Sequence, residues 1–321
     1  MDQQVELIAT GDVGNFRLTD CVPRAPGAGE IRLRHEGAGV NFIDIYHRVG
    51  LYPLPLPAIL GVEGAGVVEA VGADVGNVRV GDRVAYAGIP GAYAATRLLP
   101  AWRAVQLPDD IDTRVAAVSF LRGMTAHMLL TRIYPVAGGT TLLVHAAAGG
   151  LGAMLTRWAK HLGATVIGTA SSPEKAAIAR AQGADRVIIG RDADVAAEAG
   201  RLTDGKGVDF AVDGIGGAML RKTLASTRRF GVVASVGQAA GPIPPVAVDE
   251  LRPMLVHPSV MAYAADPAAY GVTAQAVIAA IREGIVQSAA SGYSLAQAAQ
   301  AHSDLESGKT TGSLVLDFVQ H

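Results

Sequence analysis

Five short apolar runs recur at nearly constant spacing through the second half of the chain. They are Leu142-Leu143-Val144-His145, Thr165-Val166-Ile167-Gly168, Arg186-Val187-Ile188-Ile189, Val208-Asp209-Phe210-Ala211-Val212 and Phe230-Gly231-Val232-Val233-Ala234. Their first residues stand 23, 21, 22 and 22 positions apart, with alanine-rich stretches between them. Each interval has room for one strand, one helix of about ten residues and two short loops. Parallel neighbours in a sheet need a crossover of that length, so the pattern predicts the α/β class with a Rossmann-type, doubly wound parallel sheet.

The first 120 residues are punctuated differently. Short strand-like runs at 30–34, 64–72 and 80–86 are bounded by Gly and Pro, which predicts a twisted, β-barrel-type domain. The segment 312–318 again reads as a strand, following a helix around 295–305. A discontinuous catalytic domain of 1–121 plus 262–321 is therefore expected, with a dinucleotide domain inserted at 122–261. A chain of 321 residues exceeds the size at which one core usually stops growing, in keeping with two domains.

Lys and Arg number 27 against 29 Asp and Glu. That balance argues against nucleic acid or an anionic membrane as partner, since both need a concentrated basic surface. The single Cys21 excludes an internal disulfide and a cysteine metal cluster. An acidic rather than basic N-terminus offers no signal-peptide pattern, so a cytoplasmic setting is expected. The most apolar stretch, 140–158, contains His145, glycines and Arg157 and reads as strand, loop, helix rather than as a membrane span.

The first run leads into Ala147-Ala148-Gly149-Gly150-Leu151-Gly152 and then into an apolar helix. A dinucleotide turn needs glycine where backbone approaches the pyrophosphate and where helix packs on strand, with the helix N-terminus facing the anion. Gly149 and Gly152 fill those places, and Ala147 replaces the usual first glycine. A tight loop that binds nothing is the plainer alternative, but the strand before and the βα units beyond favour a cofactor loop of Ala148, Gly149, Gly150, Leu151 and Gly152. An NAD site normally ends its second strand with an acid, whereas Ser171, Ser172 and Lys175 follow here, which favours the 2′-phosphate of NADPH. Glu174 is expected in the first turn of the next helix, and Arg191 is a possible second cation. Gly237 and Gln238 should lie near the nicotinamide, because ligands bind outside the carboxyl ends of parallel strands. His145 is read as a support of the loop, and His47 and His127 as structural.

Several motifs in order, Gly39-Val40-Asn41-Phe42-Ile43-Asp44-Ile45-Tyr46, Val80-Gly81-Asp82-Arg83-Val84, Arg122-Gly123-Met124-Thr125-Ala126 and the glycine loop, continue through 239–245 to Thr310-Thr311-Gly312-Ser313. The set resembles the zinc-independent, zeta-crystallin-like quinone oxidoreductase family of the medium-chain dehydrogenase/reductases. The resemblance implies a GroES-like catalytic domain and NADPH-dependent reduction of a small-molecule quinone, with catalytic positions at Asn41, Asp44, Tyr46 and Tyr52. It also implies Asn41 and Thr125 at the cofactor amide or ribose, Lys309 as the basic residue near the C-terminal Thr-Thr-Gly, and a homodimer through the Rossmann sheet edge, here 258–263. Zinc relatives carry Gly-His-Glu and a nearby cysteine; this chain has Gly61-Val62-Glu63 and Asn41, short of the three ligands that catalytic zinc needs. Arg122 replaces the family's usual lysine, and Gly190 stands where a tyrosine is common. Two other functions stay open: reduction of an activated carbon–carbon double bond, and a cofactor-stabilised binding or structural role with incidental activity. Locally, Asn41 and Asp44 could organise a turn, and Tyr46 and Tyr52 could simply pack.

Overall fold

A computed structural model of the chain describes residues 2–287 and 290–318. Its packing divides into two units, Met1–Met124 with Val260–His321, and Thr125–Ser259. Among the described residues no helix is long and apolar enough to cross a membrane.

In the unit Thr125–Ser259, six strands pair in the order Arg186–Ile189, Thr165–Ala170, Thr141–Val144, Val208–Asp213, Thr227–Ser235 and Met254–Val256. Every pairing is parallel. Numbered along the chain the order is 3-2-1-4-5-6, which reverses direction beside the first strand and opens a ligand crevice at its carboxyl end. Helices Gly150–His161, Pro173–Ala181, Val195–Leu202 and Met219–Ser226 supply the crossovers. Leu143, Ile167, Ile188, Val208, Ala211 and Val233 bury together, and Leu220 and Leu224 of one helix face close over them. Leu220 and Leu224 each contribute about 1.5–3 kcal/mol by leaving water, which holds the short helix Met219–Ser226 in place.

The edge of this sheet differs from the expected 258–263. Met254–Val256 forms the last strand, and Val260–Tyr263 is a single helical turn in the other unit. Pro258 explains the difference: without an N–H it cannot continue a ladder inside a strand.

In the other unit, the run expected at 30–34 extends to the eleven-residue strand Glu30–Val40. It pairs with Glu63–Val71, Thr96–Pro100 and Ser313–Asp317. Register shifts at Arg32/Leu33 and His35/Gly37 bend it, so that one strand serves several neighbours. The C-terminal strand joins it in the register Leu314↔Val40 to Asp317↔Gly37. The strand expected at 80–86 is shorter, Arg83–Ala87. Leu33, Val40, Val68, Tyr86, Tyr93, Leu99 and Leu314 form its core, and Asn41 follows directly at the bent strand's end.

Candidate active site

The loop after strand Thr141–Val144 is tied to the neighbouring strand. Thr169 accepts from Ala146 N–H with its hydroxyl at 3.2 Å and from Ala147 N–H with its carbonyl at 3.0 Å. Ala146 is held at φ +48°, a left-handed conformation that L-residues adopt at a cost and that recurs in ligand-binding turns. Gly149 caps the helix Gly150–His161, whose first turn holds no acid. A Cβ on Gly152 would stand 2.3 Å from the Ala146 carbonyl oxygen, so only glycine permits this approach. Ala147 is tolerated in place of the usual first glycine because Gly168 lies opposite; a Cβ there would come within 2.8 Å of the Ala147 methyl. The first N–H groups of the helix have no intrahelical acceptors and carry the positive end of its dipole, which suits a pyrophosphate.

His145 braces this loop from below. Its Nδ1 lies 3.2 Å from Thr169 Oγ1 and its Nε2 2.8 Å from Thr223 Oγ1. The one Thr223 hydroxyl proton is shared between the Met219 carbonyl at 2.9 Å and Asp213 Oδ2 at 3.3 Å, and Asp213 Oδ1 accepts from the N–H groups of Ile215 and Gly216. Burial lowers the pKa of His145, which suits a neutral bridging ring.

At the end of the second strand, Ser172 caps helix Pro173–Ala181 by accepting from Lys175 N–H at 3.3 Å. Glu174 occupies the first turn, exposed, its carboxyl held below the usual range by the Ser172 hydroxyl. Ser171 is exposed and Lys175 half-buried. Gly190 N–H donates to the Ala170 carbonyl at 2.9 Å, which brings the exposed Arg191 beside this turn. Gly237 is buried just past the fifth strand, and Gln238 accepts from Ile243 N–H at 3.3 Å. Thr125 is buried in helix Phe120–His127.

The unit built from both chain ends carries a second polar group of residues. Asn41 caps the helix Phe42–Arg48, and Asp44 Oδ2 accepts from the Asn41 N–H at 2.8 Å. The Asn41 amide nitrogen donates to Glu63 Oε1 at 2.7 Å, and Glu63 Oε2 accepts from Leu121 N–H at 2.8 Å. Tyr93 donates to Asp44 Oδ2 at 3.2 Å, and its hydroxyl lies 3.0 Å from Nε2 of His302. Arg122 donates to the Val40 carbonyl and to the Ser313 hydroxyl. Asp44 and Glu63 are both 0% exposed, so neither carboxylate is open to a ligand. Burial pushes the Asp44 carboxyl up to about 7 and raises that of Glu63, against the opposing effect of their hydrogen bonds and of Arg122.

Tyr46 and Tyr52 meet edge to face, with centroids 5.5 Å apart, and Tyr52 N–H donates to the Tyr46 carbonyl. His47 Nδ1 lies 2.8 Å from the Tyr52 carbonyl oxygen. The structure thus brings Asn41 together with Asp44, and Tyr46 with Tyr52. Lys309 is exposed beyond helix Ala298–Glu306, with its N–H 3.3 Å from Ser307 Oγ. Glu63, Tyr93 and His302 were not singled out as site residues by sequence reasoning. For Glu63 a signal existed: an acid inside the glycine-rich, apolar run 61–68 must be paired if that run is buried. Among the described residues no three His, Cys, Asp or Glu side chains are grouped so as to hold a metal ion.

Residues 27–109 match the family described as alcohol dehydrogenase GroES-like domain, and 150–265 that described as zinc-binding dehydrogenase. A quinone oxidoreductase of Pseudomonas aeruginosa is 41% identical over 98% of this chain and 99% of its own length. A 2-haloacrylate reductase of Burkholderia sp is 38% identical over 95% of this chain and 96% of its own. The crystal structure of Escherichia coli quinone oxidoreductase complexed with NADPH superposes with a TM-score of 0.95 at 34% identity, covering 98% of this chain and 99% of that one. With similarity along its whole length, and with asparagine and valine where zinc relatives carry ligands, the chain belongs to the zinc-independent quinone oxidoreductase family of the medium-chain dehydrogenase/reductases.

Proposed function

We propose that the protein is an NADPH-dependent quinone reductase that works without a metal ion. The observation that carries this reading is the turn into helix Gly150–His161, where a side chain at Gly152 would strike the Ala146 carbonyl and no acid occupies the first helical turn. Ala148, Gly149, Gly150, Leu151 and Gly152 hold the pyrophosphate there. Ser171, Ser172, Lys175 and Arg191 take the 2′-phosphate, an anion that selects hydroxyls and cations. Gly237 and Gln238 meet the nicotinamide end, Asn41 and Thr125 its amide or ribose, and Lys309 adds a further cation to the cofactor set. When bound, NADPH supplies a hydride from nicotinamide C4.

Tyr52, half-buried, offers aromatic surface and a hydroxyl donor to a planar acceptor, and Tyr46, buried edge to face against it, sets its ring. Asp44 acts through Asn41, since its carboxylate is buried against the helix start. One hydride converts a quinone to a hydroquinone monoanion, which takes its proton from water, so the chain need not supply a strong acid. Steady oxidation of NADPH by purified protein with a simple benzoquinone or naphthoquinone is the expected result. No turnover across such a panel overturns the reading, and retained NADPH binding without turnover then favours a binding or structural role.

The 38% identity to a protein named 2-haloacrylate reductase supports a second reading, hydride addition to an activated carbon–carbon double bond. Comparing turnover on a quinone and on an unsaturated ketone decides between them. The single cysteine, half-buried and unpaired, suits a cytoplasmic protein. A homodimer paired through the edge strand Met254–Val256, where Met254 is 55% exposed, completes the proposal. Light scattering should then give twice the chain mass of 32.9 kDa, and a monomer contradicts it.

A further inference from the structure

We propose that Glu63 is a positioning residue that fixes which way round the Asn41 amide faces, an inference that rests on Asn41 meeting the cofactor as proposed above. Glu63 opens strand Glu63–Val71 and is wholly buried. Its two oxygens do different work. Oε2 accepts from Leu121 N–H in the first turn of helix Phe120–His127, where orphan donors need an acceptor of any kind. Oε1 accepts from Asn41 Nδ2, and that contact carries information.

A carboxamide can be turned over, exchanging nitrogen and oxygen, and its orientation is set by the groups around it. An ionised carboxylate only accepts, so it holds the Asn41 nitrogen toward itself. Asn41 Oδ1 is thereby kept on the other side of the amide, as an acceptor for hydroxyl or carboxamide N–H donors of a nicotinamide nucleotide. The backbone leaves space for this contact and little else: a Cβ on Gly39 would stand 2.3 Å from Glu63 Oε1 and 2.8 Å from the Ala117 carbonyl oxygen. The buried Arg122 guanidinium opposes the effect of burial on the Glu63 carboxyl, which favours the accepting, ionised form. A buried acid is costly where apolar packing would serve, so its presence against an amide with two possible faces points to orientation rather than filling.

A double-mutant cycle tests the inference with NADPH as the probe. Glu63→Gln should weaken NADPH binding about tenfold when Asn41 is present and by less than about twofold when Asn41 is already Ala, because coupled residues are non-additive. Equal losses in the two backgrounds, or no loss in either, overturn it. Should Glu63→Gln fail to fold, the unaltered protein still decides. Its Asn41 side-chain amide signal, assigned by its absence in Asn41→Ala, should show one proton protected from exchange both before and after NADPH is added. Exchange as fast as that of an exposed asparagine, or protection lost on adding NADPH, overturns the inference. Failure of the reading that Asn41 meets the cofactor is distinguishable, because Asn41→Ala alone would then leave NADPH binding unchanged.

Discussion

At the scale of single residues, the unit built from both chain ends stores an acid where charge is poorly supported. Asp44 Oδ1 is buried without a hydrogen-bond partner, and burial raises the carboxyl to about 7 despite the bonds from Asn41 and Tyr93. The folded protein therefore holds this proton more tightly than the unfolded chain, whose aspartates titrate near 4. Between those two values the folded state binds more protons, so Asp44 favours folding fully below about pH 4 and loses that contribution as pH rises toward 7. Asp44→Asn cannot titrate. Unfolding free energies from urea titrations between pH 4.5 and 8 should fall with pH in the unaltered protein relative to the variant, the difference growing by about a few kcal/mol. Parallel profiles would show that Asp44 stays ionised throughout. In the sequence Asp44 stands out through the family resemblance and, locally, as a turn former with Asn41. Glu63 was not legible as Asn41's partner, because their contact follows from the pairing of Glu30–Val40 with Glu63–Val71, which local pattern does not encode.

Elements were read most securely where one physical period governed them. The parallel strands of the dinucleotide unit are buried on both faces and separated by crossovers of nearly constant length, so their apolar runs stand out. Strands of the other unit pair in several directions and bend, which is why 30–34 grew to Glu30–Val40. The sheet edge lies at Met254–Val256 rather than at the 258–263 that the resemblance implies, because Pro258 cannot continue a ladder. Joints between elements make two predictions. Thr223 links helix Met219–Ser226 to strand ends through His145 and Asp213. Thr223→Val keeps the shape and removes the hydroxyl, leaving two buried polar groups short of a partner, and should lower unfolding free energy by about 1–3 kcal/mol. An unchanged denaturation midpoint would mean that water or a rearrangement replaces the hydroxyl. Lys175 lies in the first turn after strand Thr165–Ala170; Lys175→Ala should weaken NADPH binding about tenfold, the lower end for a charge-assisted contact, while NADH binding changes by less than about twofold. Equal losses for both nucleotides would remove Lys175 from the 2′-phosphate site.

For the whole molecule, the strand period gives the number of βα units but not their lateral order, since several arrangements share one spacing. The glycine loop resolves part of that ambiguity. A dinucleotide turn belongs at the place where strand order reverses, which puts the strand before it at the centre, as the observed position of Thr141–Val144 does. Cofactor binding should then be visible in the stability of the chain. NADPH at a hundred times its dissociation constant stabilises the state that binds it by about 2.7 kcal/mol. For domains of this size that corresponds to a rise of roughly 5–10 °C in the thermal midpoint, with a smaller rise for NADH at the same concentration. Gly152→Ala separates this effect from nonspecific stabilisation. Its added methyl meets the Ala146 carbonyl oxygen, and accommodating it must move the loop, at a cost of about 1–3 kcal/mol for overpacking. The variant should melt a few degrees lower and lose most of the NADPH-induced shift. If it instead melts lower yet keeps the full shift, the pyrophosphate is held elsewhere than at this helix start.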